Sequence, residues 1–513
     1  MRTDRVLVVG AGLAGLVSAL LLARAGLAVT VVDRAARPGG KLRQVTLGAV
    51  RVDSGPTVLT LPGIFEALFE AVGSRLSDHL TLHRLDVLAR HAWPDGSTLD
   101  LYADIERSAD AIARFAGPPE ARRYRAFCAR AQRSYEALDA AFLRAPRPQL
   151  GGLLRSVGLR GLPALWGAAP MSTLWRALGD HFQDPRLRQL FGRYATYSGA
   201  SPFAAPATLM VIAHVEQQGV WRVEGGMQRI ADSLERLAIA QGAIFRYGAE
   251  VRELLCVGGR AAGGQLADGE RLAADAVVVN ADVAALASGL MGPGAAGAVP
   301  RQPRTKRSLS ALTWSMLART EGFPLLHHSV FFSHDYRAEF DDLFARSCLP
   351  AEPTVYVCAQ DRTDDPAQAP CGPERLLCLV NAPPRGDSHT LTPSEIQACE
   401  ERMFAVLKRA GLTVHRRDAV AVRTTPAEFE RLFPATGGAL YGAAQHGWRA
   451  SFRRPGARTR LPGLYLAGGS THPGPGLPMV VLSGRQAAAS LLADRASTGR
   501  SLPAATAGGT STR

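Results

Sequence analysis

The chain has 513 residues, 47% of them hydrophobic and 20% charged, the make-up of a globular enzyme whose core is large enough for two or three lobes. Its net charge is +14, yet all basic residues except Lys41, Lys306 and Lys408 are arginines, scattered along the chain without interleaved aromatics. That scatter argues against nucleic acid as a partner and leaves an anionic membrane surface as the use for a basic face. Seven cysteines without a CxxC pair and twelve histidines without HExxH spacing offer neither a disulfide frame nor a metal site.

The first element, Arg5–Val9, is a short apolar run of strand type. It leads into Gly10-Ala11-Gly12-Leu13-Ala14-Gly15, an Ala/Leu-rich helical stretch to Ala25, and a second apolar run over 28–32 ending at Asp33. Gly10 makes the tight turn, Gly12 lets the backbone approach a pyrophosphate, and Gly15 lets helix and strand pack closely. The helix N-terminus presents free N–H groups and a partial positive charge to phosphates. Asp33 stands where a carboxylate binds ribose hydroxyls. Glycines inside the apolar run argue against a signal peptide, and no stretch of about 18 uninterrupted apolar residues is present. A cytoplasmic protein without a spanning helix is expected.

Next comes a turn-rich basic loop, Arg34 to Lys41 with Pro38-Gly39-Gly40, then a strand-like run and Asp53-Ser54-Gly55-Pro56-Thr57. Residues 62–73 read as a helix, and 80–102 as short strands around a turn at Pro94-Asp95-Gly96. From about 104 to 215 the pattern is mostly helical and predicts a cap. Trp221 to Met227 returns the chain to the nucleotide, followed by a helix to about 241 and strands around 244–256 and 271–279. Strand-type runs at 309–318, 354–359, 375–382 and 419–425, with helices near 337–345 and 393–409, predict a substrate-domain sheet. A final strand over 463–469 precedes a loop and a helix from Pro478 to about 496; the tail is expected to be disordered. The fold class is therefore α/β: a Rossmann-type dinucleotide-binding domain with a mixed-sheet substrate domain and a helical cap. The expected division is 1–103, 221–290 and 441–496 for the nucleotide, 104–220 for the cap, 291–440 for the substrate sheet and 497–513 for the tail.

Five dispersed segments read as one cofactor site. They contribute Gly10 to Gly15 with Asp33, then Arg34, Gly40 and Lys41, then Pro56 and Thr57, then Val251, and finally Gly468 and Gly469 with Pro478, Met479 and Val480. A nicotinamide dehydrogenase keeps its contacts largely in one domain. An extended flavin needs a second helix N-terminus facing its ring, here the one opened by Gly476-Leu477-Pro478, so the pattern favours FAD.

These motifs resemble the carotenoid/retinoid desaturase family of FAD oxidoreductases, of which the phytoene desaturases are typical. Arg193-Tyr-Ala-Thr-Tyr-Ser-Gly-Ala-Ser-Pro202, Ala205-Pro-Ala-Thr208 and Gly219-Val-Trp-Arg-Val-Glu-Gly-Gly-Met227 are most similar to the hydroxyneurosporene (methoxyneurosporene) desaturase branch. The similarity runs from residue 5 to about 495. The family often has Glu at the position of Asp33, one methylene longer and chemically equivalent. The resemblance implies 3,4-desaturation of acyclic 1-hydroxy or 1-methoxy carotenoids, with oxygen or a quinone as the undetermined electron acceptor. Sister readings are a phytoene desaturase, isomerase or ketolase; a reading of another class is a non-catalytic prenyl-lipid carrier, against which the intact glycine set speaks.

A polyene offers almost no polar handle, so its binding rests on buried apolar area, at about 25 cal/mol per Å². Residues 148–180, with Leu153, Leu154, Trp166, Leu174 and Trp175 punctuated by Arg155, Arg160 and Arg176, are expected to lie on the membrane surface as an interfacial helix. Charge delocalisation into the polyene removes the need for a strong base, and no catalytic residue is marked beyond a weak candidate, His472. Trp221 and Trp314 are candidate tunnel residues, and His327 and His328 candidate partners for a substrate hydroxyl. Adjacent on a strand, the two histidines would face opposite ways and make a poor metal pair. Glu224 reads as a turn anchor.

Overall fold

Five parallel strands form the nucleotide-binding sheet, in the order Leu464–Leu466, Ala276–Val279, Arg5–Val9, Ala28–Asp33, Ile244–Tyr247. The computed structural model describes residues 4–139, 172–365 and 369–500. The strands are nearly continuous in Val, Leu and Ala because helices bury both faces of a parallel sheet. Helix Leu13–Arg24 packs on the C-terminal helix Leu477–Arg500 so closely that a Cβ on Gly484 would lie 2.6 Å from Ala14 O. Ser18 Oγ donates across this contact to Gly484 O at 3.0 Å. Residues over 400 positions apart in sequence are thereby locked into one domain.

A seven-stranded mixed sheet forms the second layer system, in the order Val420–Thr424, Ser310–Ala318, Glu374–Ala382, Val355–Ala359, His328–Phe331, Val87–Ala92, Thr98–Tyr102. All neighbours are antiparallel except His328–Phe331 with Val87–Ala92. Strand residues alternate faces. Leu312, Trp314, Met316, Val357 and Cys378 pack with Met403, Val406 and Leu407 of helix Pro393–Arg409. The other face carries His328, Tyr356 and Cys358.

Between 105 and 217 the described chain is helical, with Ile105–Ala116, Pro118–Leu138, Leu174–His181, Pro185–Gly192 and Val211–Gln217 around a core of Tyr124, Phe127, Phe182 and Phe191. The expected fold class is borne out in all three parts. Four expectations need correction. The hairpin Val87–Ala92/Thr98–Tyr102, placed before 103 with the nucleotide segments, pairs in the substrate-type sheet. The run read as 244–256 breaks after Tyr247: Val251–Val257 starts a separate antiparallel sheet with Arg260–Leu266 and Arg271–Ala273. Strand Arg260–Leu266 was hidden by its glycines, Gly263 and Gly264, and by the Gly258-Gly259 turn. The last helix continues to Arg500, four residues past the expected limit.

Most of the expected interfacial segment lies outside the described residues. Its final part is described and faces inward: Leu174 is fully buried and Trp175 packs at 4.7 Å on Phe203. Leu174 and Trp175 are core residues of the cap, and only Arg176 of that trio is exposed.

Candidate flavin site

Four parallel strands deliver their C-terminal ends to one crevice, the place where open α/β sheets bind ligands. Gly10 ends the central strand with φ +102, and a Cβ there would meet Asn280 O at 2.8 Å. Gly15 cannot carry a Cβ at all, since it would overlap the Gly10 carbonyl oxygen. At Gly12 a Cβ would lie 2.7 Å from Asn280 Oδ1. Gly12 precedes helix Leu13–Arg24 without a side-chain cap, and no acid stands in its first turn, so the first-turn amides remain available for an anion. Ala11, Leu13 and Ala14 are buried behind the turn.

Asp33 accepts from Ala11 N at 2.7 Å and from Ala35 N at 2.8 Å, so its carboxylate stands against the glycine turn. Val251 follows where the chain passes Asp33, with Ala249 N donating to Asp33 O, and packs with Val9 and Val32. Gly40 and Lys41 lie across the turn, Gly12 and Gly39 forming a bridge. Arg34 points elsewhere: its guanidinium donates to the carbonyls of Arg431 and Leu432. It ties the nucleotide loop to helix Pro426–Leu432 instead of holding the cofactor.

Lys41 Nζ donates to Leu440 O at 2.5 Å, and burial pulls its ammonium below the usual lysine range. Asp282 opposes that shift and Arg454 adds to it. Arg454, pushed down by burial to about 10, donates to the carbonyls of Gly469, Tyr441 and Ala443. Arg454 thus stands beside the Gly468-Gly469 segment, with Lys41 near enough for the two charges to repel. Sequence reasoning missed Arg454, Asp282 and Asn280. Asn280 directly follows the apolar run Ala276–Val279, the position at which the strand-end rule looks for ligand contacts. Its Nδ2 donates to Ala467 O at 2.8 Å, joining the N-terminal and C-terminal parts of the cradle. Gly468 has φ +139, Gly469 packs against Pro475 and Val480, and Pro478, Met479 and Val480 open the second helix.

The Asp53–Thr57 loop links cradle and substrate sheet. Gln360 clamps it in both directions, accepting from Asp53 N and donating to Asp53 O. The Asp53 carboxylate, raised by burial, accepts from Met227 N at 2.7 Å and Gln44 Nε2 at 2.9 Å. Pro56 is exposed, and Thr57 Oγ1 bonds Tyr356 Oη at 2.6 Å, which bonds His328 Nδ1 at 2.7 Å. Glu224, on the preceding turn, pairs with His83 at the surface.

His327 and His328 do not point apart. His327 precedes the strand, so the alternation rule does not govern it, and the two rings meet edge-on at 4.6 Å. With Cys358 they bring three ligand-type atoms within 4.8 Å of one another. Burial holds both imidazoles neutral, His327 down at about 4. Trp314 is not a tunnel residue: it faces helix Pro393–Arg409 and donates to Glu400 Oε2 at 2.8 Å. Trp221 stacks under Arg84 and packs against the nucleotide-side core. His472 is 1% exposed, too enclosed to present a surface to flavin or substrate, and its amide donates to Pro455 O.

The cradle, the second helix N-terminus and the carboxylate beside the glycine turn suit an extended dinucleotide. A model of flavin-containing amine oxidoreductases matches residues 13–492. The chain belongs to that family. This flavin-containing amine oxidoreductase is 54% identical to the hydroxyneurosporene desaturase of Rubrivivax gelatinosus, over 100% of the chain and 98% of that protein. It is 48% identical to that of Cereibacter sphaeroides, covering 97% and 99%. The 4,4'-diapolycopene oxygenase of a Methylomonas species is 32% identical, covering 96% and 98%. Among solved structures, putrescine oxidase bound to putrescine superposes with TM-score 0.58 at 16% identity, covering 96% and 99%. That likeness concerns the fold. The resemblance to carotenoid desaturases is borne out, and the protein is an FAD-dependent oxidoreductase.

Proposed function

We propose that this FAD-dependent oxidoreductase introduces the C-3,4 double bond into acyclic 1-hydroxy or 1-methoxy carotenoids. The observation that carries this reading is 54% identity over the whole chain to a hydroxyneurosporene desaturase, against 32% for the oxygenase relative. FAD, when bound, supplies the hydride acceptor. Gly10, Gly12, Gly15 and Asp33 would hold its pyrophosphate and ribose, Arg454 with Lys41 nearby would place positive charge near Gly468-Gly469, and Thr57 and Tyr356 would line its approach from the substrate sheet. The aromatic cap core and the sheet face would exclude water from the reacting carbons, whose C–H bonds are weakened by the adjacent polyene. His327 and Cys358 line a cavity together with Arg222, Arg375 and Asp53, and the reading assigns no metal to it.

The protein is proposed to act at the cytoplasmic membrane surface, where an apolar substrate resides; no helix among the described residues is long and apolar enough to cross a membrane. Oxygen or a quinone would take the electrons from the reduced flavin. The test is incubation of the flavin-loaded protein in liposomes with phytoene, neurosporene and 1-hydroxyneurosporene separately, followed by product spectra. Conversion of 1-hydroxyneurosporene to a red-shifted product, with phytoene poorly used, is expected. Efficient stepwise desaturation of phytoene would overturn the substrate assignment.

A further inference from the structure

Arg193 opens the short 3-10 turn Arg193–Ser198 and is half-buried, as are Tyr197, Tyr356 and Tyr441 around it. The guanidinium lies over Tyr197 at 5.6 Å and over Tyr356 at 5.3 Å. It forms no ion pair among the described residues, and of its five N–H donors one makes a long bond, 3.5 Å to Tyr197 Oη. Glu216, the nearby carboxylate, is engaged instead by Tyr194 Oη at 2.7 Å. Two further buried polar atoms in the same surroundings lack a hydrogen-bond partner, Tyr336 Oη and His328 Nε2.

An arginine packed into protein normally finds acceptors, because leaving its donors unpaired is costly. Here the guanidinium lies within cation–π reach of two tyrosine rings and makes one long hydrogen bond, leaving its other donors without a protein acceptor among the described residues. Tyr356 also joins this cluster to Thr57 of the cofactor loop, Oη to Oγ1 at 2.6 Å. We propose that Arg193, held by Tyr197 and Tyr356 and flanked by Tyr336, is the subsite that receives the hydroxyl or ether oxygen at the end of an otherwise apolar substrate. The inference rests on the function proposed above and names the group that reads the substrate's one polar atom. A site built to donate to that oxygen rejects the hydrocarbon analogue, which leaves the donors unpaired.

The test uses the flavin-loaded protein with 1-hydroxyneurosporene and neurosporene as paired probes. Binding is read from the flavin difference spectrum and turnover from product spectra. Wild type should favour the hydroxylated compound; Arg193→Met should lose most of that preference, about tenfold or more, through KM for the hydroxylated compound, with flavin content and the neurosporene values retained. Arg193→Lys, which keeps charge but not the fork, should fall between. Tyr336→Phe provides a second, milder variant that folds even if Arg193→Met does not, and should reduce the preference without altering flavin content. An unchanged preference in Arg193→Lys and Tyr336→Phe, or equal losses for both probes, would overturn the proposal. If wild type binds the hydroxylated probe more tightly but turns over neither, the desaturase reading fails while the subsite stands.

Discussion

Replacing Gly12 by alanine tests whether the glycine turn is held through Asn280. A Cβ at position 12 would stand 2.7 Å from Asn280 Oδ1, about 0.7 Å inside an ordinary contact of roughly 3.4 Å. The amide is not free to yield, because its Nδ2 donates to Ala467 O at 2.8 Å. A shift of that size stretches the bond to about 3.5 Å, at the edge of what counts as one. The lost bond and a buried carbonyl left without a donor cost about 2 kcal/mol together. Where that cost falls on the flavin-binding conformation, FAD affinity drops by a factor of about 30. Gly12→Val also fills the approach of the pyrophosphate and should purify without flavin. The assay is the flavin-to-protein absorbance ratio and the Tm for wild type, Gly12→Ala, Asn280→Ala and the double variant. Since Asn280→Ala removes the clashing atom, Gly12→Ala should cost less in that background, by about 1 kcal/mol. Strictly additive losses, or Gly12→Ala protein with full flavin and wild-type Tm, would refute the reasoning.

Burial raises the Glu339 carboxyl to about 7, despite hydrogen bonds from Thr354 and Ser333. Between the unfolded value near 4.5 and 7 the unfolded chain has released this proton and the folded one has not, so stability falls as pH rises through that window. Glu339→Gln should therefore gain on wild type between pH 5 and pH 8, by about 1–3 kcal/mol in urea unfolding; a difference independent of pH counts against the raised carboxyl. Trp314→Phe should lose the bond to Glu400 and about 1–2 kcal/mol of stability, with unchanged KM for the carotenoid; a raised KM would return Trp314 to the substrate path. Peripheral association predicts that the protein sediments with anionic liposomes and is released by salt or alkaline wash; extraction by detergent alone would mean deeper insertion, and failure to sediment would remove the membrane from the reading.

The sequence by itself determined the cofactor end of this protein. Strand, glycine turn, helix and acid follow within Arg5 to Asp33, and local spacing suffices because turn and helix terminus are made by neighbours in the chain. The flavin character was legible too, since a second helix opening at Gly476-Leu477-Pro478 has its own local signature. Tertiary structure decided which distant residues close the cradle: Asn280, Asp282 and Arg454 come from elements with no spacing relation to the glycines. It also decided faces. Trp314 and Tyr356 are both aromatics on strands of one sheet, yet one meets helix Pro393–Arg409 and the other meets Thr57, because a shift of one residue in register exchanges the two sides. The histidine pair was misread for a related reason: alternation applies only within a strand, and the chain sets where the strand begins through its pairing with Cys358 and its neighbours. Arg193 shows the limit most plainly. Its motif was visible as a string of letters, but that it is a cation without a counter-ion among the described residues, set against tyrosine rings, follows only from what folds around it.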